Sequence, residues 1–100
     1  MARVNIVVPH LLPQDEALRR IRGEIENLKG QHDNKLTGLR DNWDNYTYVF
    51  EGSAMGFAVS GVMMVKLLQV EIDADLPWLA MLFKGRIEAE IREWLSRLLS

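Results

Sequence analysis

The chain has 100 residues, 48% of them apolar and 26% charged, no cysteine and a formal charge of −2. This is the balance of one globular domain spanning residues 1–100, not of a disordered chain. The lack of a basic excess argues against a nucleic-acid partner, and the lack of cysteine excludes disulfides and thiolate chemistry. The longest uncharged run, Gly52 to Val65, is shorter than the roughly 20 residues a membrane-spanning helix needs. The first residues carry no signal-peptide pattern, and the lack of cysteine fits a reducing compartment.

In chain order, Val4, Ile6 and Val8 alternate with Asn5 and Val7, which predicts a short strand ended by Pro9. Pro13 suits the start of a helix, where a missing N–H costs nothing, and Asp15 and Glu16 suit its first turn. Ala17, Leu18, Ile21, Ile25 and Leu28 form its apolar stripe, and Gly30 is a fitting end. Gly23 falls on the polar face. From Lys35 the period changes to two. Leu36 to Trp43 reads as a weak strand, and Asp44-Asn45 as a tight turn. Tyr46, Tyr48 and Phe50 mark a strong strand, and Glu51-Gly52-Ser53 is expected to turn the chain. Phe57, Val59 and Met63 mark another strand, in which Gly61 signals a bulge or a close backbone approach. Leu68, Val70, Ile72 and Ala74 alternate with Gln69, Glu71, Asp73 and Asp75, giving one apolar and one acidic face. A sheet wet on one side is typically antiparallel.

The last segment, Phe83 to Leu99, places Phe83, Ile87, Ile91, Trp94 and Leu98 on one stripe at helical spacing. Glu88–Arg92 and Glu93–Arg97 are favourably ordered pairs four apart on the other side. The expected fold is therefore α+β: an antiparallel sheet of four to five strands with two helices packed on one face, in the order β-α-β-β-β-β-α. Ile21, Ile25, Leu28, Val70, Ile72, Phe83, Ile87, Ile91, Trp94 and Leu98 are expected to be buried together.

Little in the residues points to catalysis. His10 and His32 are too few and too far apart in sequence to predict a metal site, so no metal or cofactor is expected. Gly52-Ser53-Ala54-Met55-Gly56 misses the nucleophile elbow by one place and falls in a predicted hairpin turn. Glu71, Asp73 and Asp75 point the same way along a strand, and the expectation is a solvated face protecting an edge strand. Trp43 and Trp94 are expected in the core. Leu76 to Phe83 is the strongest candidate for contact. Ala80 and Phe83 fit the helical core stripe, but Trp78, Leu79, Met81 and Leu82 fall partly outside it. They either fold back into the core or form an apolar contact patch, bordered by Lys84 and Arg86.

The opening strand closing on Pro9-His10, the aromatic hairpin and the run Phe83-Lys84-Gly85-Arg86-Ile87-Glu88-Ala89-Glu90-Ile91 followed by Trp94-Leu95 together resemble the polyhydroxyalkanoic acid system family. These are small bacterial proteins encoded near genes for polyester storage granules. Leu12, where a Ser or Thr cap is expected before the first helix, is a departure. The resemblance implies the cytoplasm and a part in the synthesis, use or surface of polyester granules; with no acid, base and nucleophile set visible, the expectation is a non-enzymatic accessory or interaction protein of the polyhydroxyalkanoate system. Its expected partners are the granule surface, granule-associated proteins or a second copy in a homodimer. The alternative is a small apolar-ligand-binding protein with a cavity between the sheet and the C-terminal helix.

Overall fold

A computed structural model describes residues 2–30, 36–54 and 56–100. Strand β1 (Ala2–Pro9) is followed by helix α1 (Gln14–Lys29), strands β2 (Leu36–Asp44), β3 (Thr47–Ala54), β4 (Phe57–Val65) and β5 (Gln69–Leu76), and helix α2 (Lys84–Leu98). The five strands make one sheet in the order β1-β5-β4-β3-β2, with every pair antiparallel. The α+β order expected from the period changes is the one found.

The register follows the alternation. Val8 opposes Val70, Ile6 opposes Ile72, and Val4 opposes Ala74. Val65 opposes Val70, and Met63 opposes both Ile72 and Tyr48. These side chains line one face, and Ile21 and Ile25 of α1 and Leu95 of α2 belong to the same buried cluster. Both helices therefore cover that face. The opposite face carries Glu71, Asp73 and Asp75.

That acidic row does not guard an edge. β5 lies between β1 and β4, because the first strand returns beside the last. Arg3 reaches Asp75 at 3.4 Å and Lys66 reaches Glu71 at 2.8 Å, so two of the three acids are met by cations on the wet face. The edges are β1 and β2. Arg92 of α2 donates to the Val7 carbonyl at 2.9 Å, which occupies part of the β1 edge. In β2 one extra residue is accommodated between Thr37 and Arg40, where Gly38 takes φ +61°. This is a glycine-dependent bulge that twists the other edge.

Local details follow residue chemistry. Asn45, at φ 55°, makes the predicted β2–β3 turn. β3 continues through Glu51-Gly52-Ser53 to Ala54, and the turn comes later, where Gly56 adopts φ +85°. Gly61 marks a close approach: a Cβ there would lie 2.7 Å from the Asp73 carbonyl oxygen. Gly30 ends α1 in a right-handed conformation, its N–H shared between the Glu26 and Asn27 carbonyls.

The last quarter departs most from expectation. Trp78–Phe83 is a 3₁₀ helix, entered from Pro77, and Phe83 has φ −112° and ψ 14° before α2 begins. Three residues per turn and a non-helical joint change the phase. Phe83 leaves the α2 stripe and is 60% exposed, whereas Met81 turns in against the core. The deepest residues here are Leu95 of α2 and Leu99, which caps the helix, one place on from the predicted stripe. Ile87, Ile91, Trp94 and Leu98 are only half-buried, and Leu28 of α1 is 40% exposed.

Candidate functional site

Three of the displaced core residues share a cause. Leu28, Ile91 and Trp94 line a cleft of about 330 Å³ between the two helices and the sheet. Arg20 of α1 donates to the carbonyls of Leu98 and Ser100, so the helices meet at that end. The cleft lies where Ile25, Leu28 and Lys29 of α1 face Ile91 and Trp94 of α2 across the sheet. Tyr48, Phe50, Met63, Ile72, Ala74 and Leu76 supply most of its sheet side, with Leu39, Val59 and Ser60 completing the lining. Period and pattern predicted a closed core here, and the sequence holds no signal for how far apart two helices lie.

The cleft's charged rim was missed. Lys29 Nζ lies 2.8 Å from Asp41 and 3.6 Å from Glu26, and Tyr48 donates its hydroxyl to Asp41 at 2.8 Å. Lys29 holds the Asp41 carboxyl below its usual range, and the Tyr48 hydroxyl adds to this against the opposing effect of burial. Asp41 in turn raises the Lys29 ammonium. Burial first, then the neighbouring Asp41, pushes the Tyr48 phenol up. A signal for this rim exists in the sequence: Asp41 interrupts the period-two series Leu39, Asp41, Trp43 with an acid on the inner face. Next to it, the Arg22 guanidinium stands 5.4 Å from the Trp43 ring centre, and Trp43, Tyr48 and Phe50 pack ring to ring.

The contact patch proposed from sequence is exposed in part. Trp78, Leu79 and Leu82 are 70%, 49% and 78% exposed, Phe83 joins them, and Met81 does not. The patch follows directly from Leu76, a cleft residue. A second apolar group escaped sequence reasoning. Leu11, Leu67 and Leu68 are 99%, 70% and 73% exposed on the β1–α1 and β4–β5 connections. His10 ties these connections together. It is buried, its Nε2 donates to the Lys66 carbonyl at 3.0 Å, its Nδ1 accepts from the Leu12 N–H at 3.2 Å, and its N–H donates to the Leu68 carbonyl at 2.9 Å. This group and the Trp78 patch lie beyond opposite ends of β5.

Among the described residues, no three His, Cys, Asp or Glu side chains are grouped to hold a metal ion. His32 and Met55 lie outside the described residues. Ser53 sits within β3 opposite Thr37 and Ala58, not at a strand-to-helix elbow. Among the described residues no helix is long and apolar enough to cross a membrane.

No curated protein and no solved structure is significantly similar to the chain. Residues 4–99 match a family model described as "putative polyhydroxyalkanoic acid system protein". That match runs from β1 to the end of α2, and by it the chain belongs to the polyhydroxyalkanoic acid system protein family.

Proposed function

We propose that the protein is a non-enzymatic accessory or interaction protein of the polyhydroxyalkanoate system, working in the cytoplasm at the surface of the polyester granule. The observation that carries this reading is the run of exposed Trp78, Leu79, Leu82 and Phe83 on a single 3₁₀ helix in a chain of this family. Large apolar side chains left exposed close together in the chain favour contact with an apolar surface, and tryptophan serves as a rigid anchor there. Lys84 and Arg86 follow the patch and supply a polar rim, with Lys84 3.9 Å from Glu88 and Arg86 3.2 Å from Glu90. Granule-associated proteins and a second copy of the chain are the other occupants this patch suits.

Co-sedimentation with purified granules tests the proposal. The wild-type protein should pellet with granules, and Leu79→Ser with Leu82→Ser should remain in the supernatant while keeping its thermal unfolding midpoint. Wild-type protein that stays soluble beside granules and runs as a monomer would refute surface contact. Loss of folding in the double variant would show the residues to be core.

The cleft supports a second reading, a binder of small apolar ligands. Its walls are almost wholly apolar and its polar groups stand at the rim, which is the usual make-up of a small-molecule pocket.

A further inference from the structure

His10 is buried, and it belongs neither to the Trp78 patch nor to the cleft. Its ring is fixed by two partners that cannot exchange roles. The Leu12 backbone N–H can only donate, so Nδ1, 3.2 Å from it, accepts and carries no proton. The Lys66 carbonyl can only accept, so Nε2, at 3.0 Å, carries the proton. A half-turn of the ring would set carbon atoms against both partners. The geometry therefore holds one state, the neutral imidazole with its proton on Nε2.

A second proton has one place to go, Nδ1, and there it meets the Leu12 N–H, donor against donor. The bond to Lys66 survives this change and the bond to Leu12 does not. Two other ties at this end do not titrate: the His10 N–H donates to the Leu68 carbonyl at 2.9 Å, and the Gln14 amide donates to the Val65 carbonyl at 2.9 Å. Among the described residues no carboxylate bonds the ring. On the adjoining elements Lys66 is paired with Glu71, Asp15 accepts from the Tyr46 hydroxyl, Glu16 is held by Arg19 and Arg20, and Arg92 donates to the Val7 carbonyl. Leu12 packs partly against the core, while its neighbour Leu11 stands 99% exposed beside this joint.

We infer that His10 is an acid-sensitive pin: its protonation frees the Leu11–Leu12 peptide from the ring and lets Leu11 and Leu12 move relative to Leu67 and Leu68. The sheet and both helices stay in place, because the ties to Leu68 and Val65 remain. The outline of this apolar end thus depends on the charge of one side chain, of the type that ordinarily gains its proton between about pH 8 and 5. The inference does not depend on granule contact or on the cleft.

The test follows the wild-type protein by NMR at about pH 7.5 and about pH 5. At the upper value the ring should carry its proton on Nε2. At the lower value the Leu12 amide, corrected for the intrinsic effect of pH, should exchange about fivefold faster, and the His10 amide, bonded to Leu68, should be unchanged. Two variants separate the ring atoms. His10→Asn keeps a non-titrating acceptor near the place of Nδ1 and should hold Leu12 equally at both values. His10→Gln keeps a donor toward Lys66 without that acceptor and should leave Leu12 exchanging fast at both. The wild-type readings decide the matter if either variant fails to fold. A proton on Nδ1 at neutral pH, a ring that stays neutral down to about pH 5, or a Leu12 amide indifferent to the charge of the ring would each overturn the pin. So would exchange that quickens equally at His10 and Leu12, since that marks loss of the whole joint, or a folded His10→Asn protein whose Leu12 amide still responds to acid.

Discussion

Lys29 and Asp41 join α1 to β2 at 2.8 Å, at the rim of the apolar cleft. The pair is partly exposed, so its coupling in a double-mutant cycle should be about 1 kcal/mol or less, and weaker in salt. Because the Asp41 carboxyl is lowered in the folded state, its contribution is present above 3.8, its ordinary value, and is lost as pH falls through the lower folded value. Lys29 is raised, so its contribution is present below 10.5 and is lost as pH rises through the higher folded value. Asp41→Asn should flatten the acid limb of stability measured by urea unfolding. An unchanged acid limb would contradict the pairing.

A second acid-sensitive group lies on the exposed side of α1. Arg19 and then Arg20 hold Glu16 down to about 2 from 4.5. Its distance is 2.6 Å to the Arg19 guanidinium and 2.8 Å to that of Arg20. The sign is that of a lowered carboxylate: stability is present above 4.5 and is lost as pH falls toward 2. Glu16→Gln should lower stability slightly at neutral pH and remove part of the slope in that window. Glu16 also helps place Arg20, which reaches the end of α2, so the variant should loosen the α1–α2 junction in hydrogen exchange.

The position of α2 is tested by two substitutions. Leu95 is fully buried and Phe83 is 60% exposed. Leu95→Ala should cost about 2–5 kcal/mol, and Phe83→Ala about 0.5 kcal/mol or less. Equal costs in denaturant unfolding would mean that the helix is rolled toward the stripe expected from sequence.

That roll shows where sequence reading stops. Alternation gave every strand, because a period of two decides which face a side chain takes, and pairing then has few choices. Helical period gave both helices and the Ile21 and Ile25 contacts. It did not give the phase across Phe83, since a 3₁₀ turn and a helix of 3.6 residues per turn look alike over six apolar residues. Nor did it separate Leu95, deep in the core, from Trp94, which lines the cleft. Of the candidate site, Trp78, Leu79 and Leu82 were legible as residues left over from one stripe. The cleft was legible only as a general property of a helix crossing a sheet, because spacing between elements is set by side chains far apart in sequence. β5 was mistaken for an edge for the same reason: its partner β1 lies at the other end of the chain.

Three glycines should respond with different signs to alanine. At Gly61 the added methyl would meet the Asp73 carbonyl oxygen at 2.7 Å and the Phe50 ring at 2.8 Å. Backbone on the neighbouring strand cannot yield easily, so a loss of about 1–3 kcal/mol is expected. Gly38 has open space but φ +61°, and alanine there should cost about 1–2 kcal/mol through backbone strain. Gly23 is helical, exposed and without neighbours, so Gly23→Ala should stabilise by about 0.5–1 kcal/mol. Denaturant midpoints at constant m-value give all three, and a stabilising Gly61→Ala would refute the β4–β5 approach.

The two apolar ends of the molecule separate a docking role from incidental exposure. Leu67 and Leu68 are as exposed as Trp78 and Leu82, but they sit on a turn clamped by His10 at the opposite end of β5. His10→Ala would leave the Lys66 carbonyl and the Leu12 N–H without this partner in a part-buried site, at a cost of about 1–3 kcal/mol. Leu67→Ser with Leu68→Ser removes no buried contact and should change stability by about 0.5 kcal/mol or less. If the Trp78 end is the contact surface, the Leu67/Leu68 variant should co-sediment with granules as the wild type does, and the Leu79/Leu82 variant should not. Release by the Leu67/Leu68 variant alone would move the contact to the His10 end. Release by either variant would mean that binding follows total exposed hydrocarbon, and that neither patch is a specific surface.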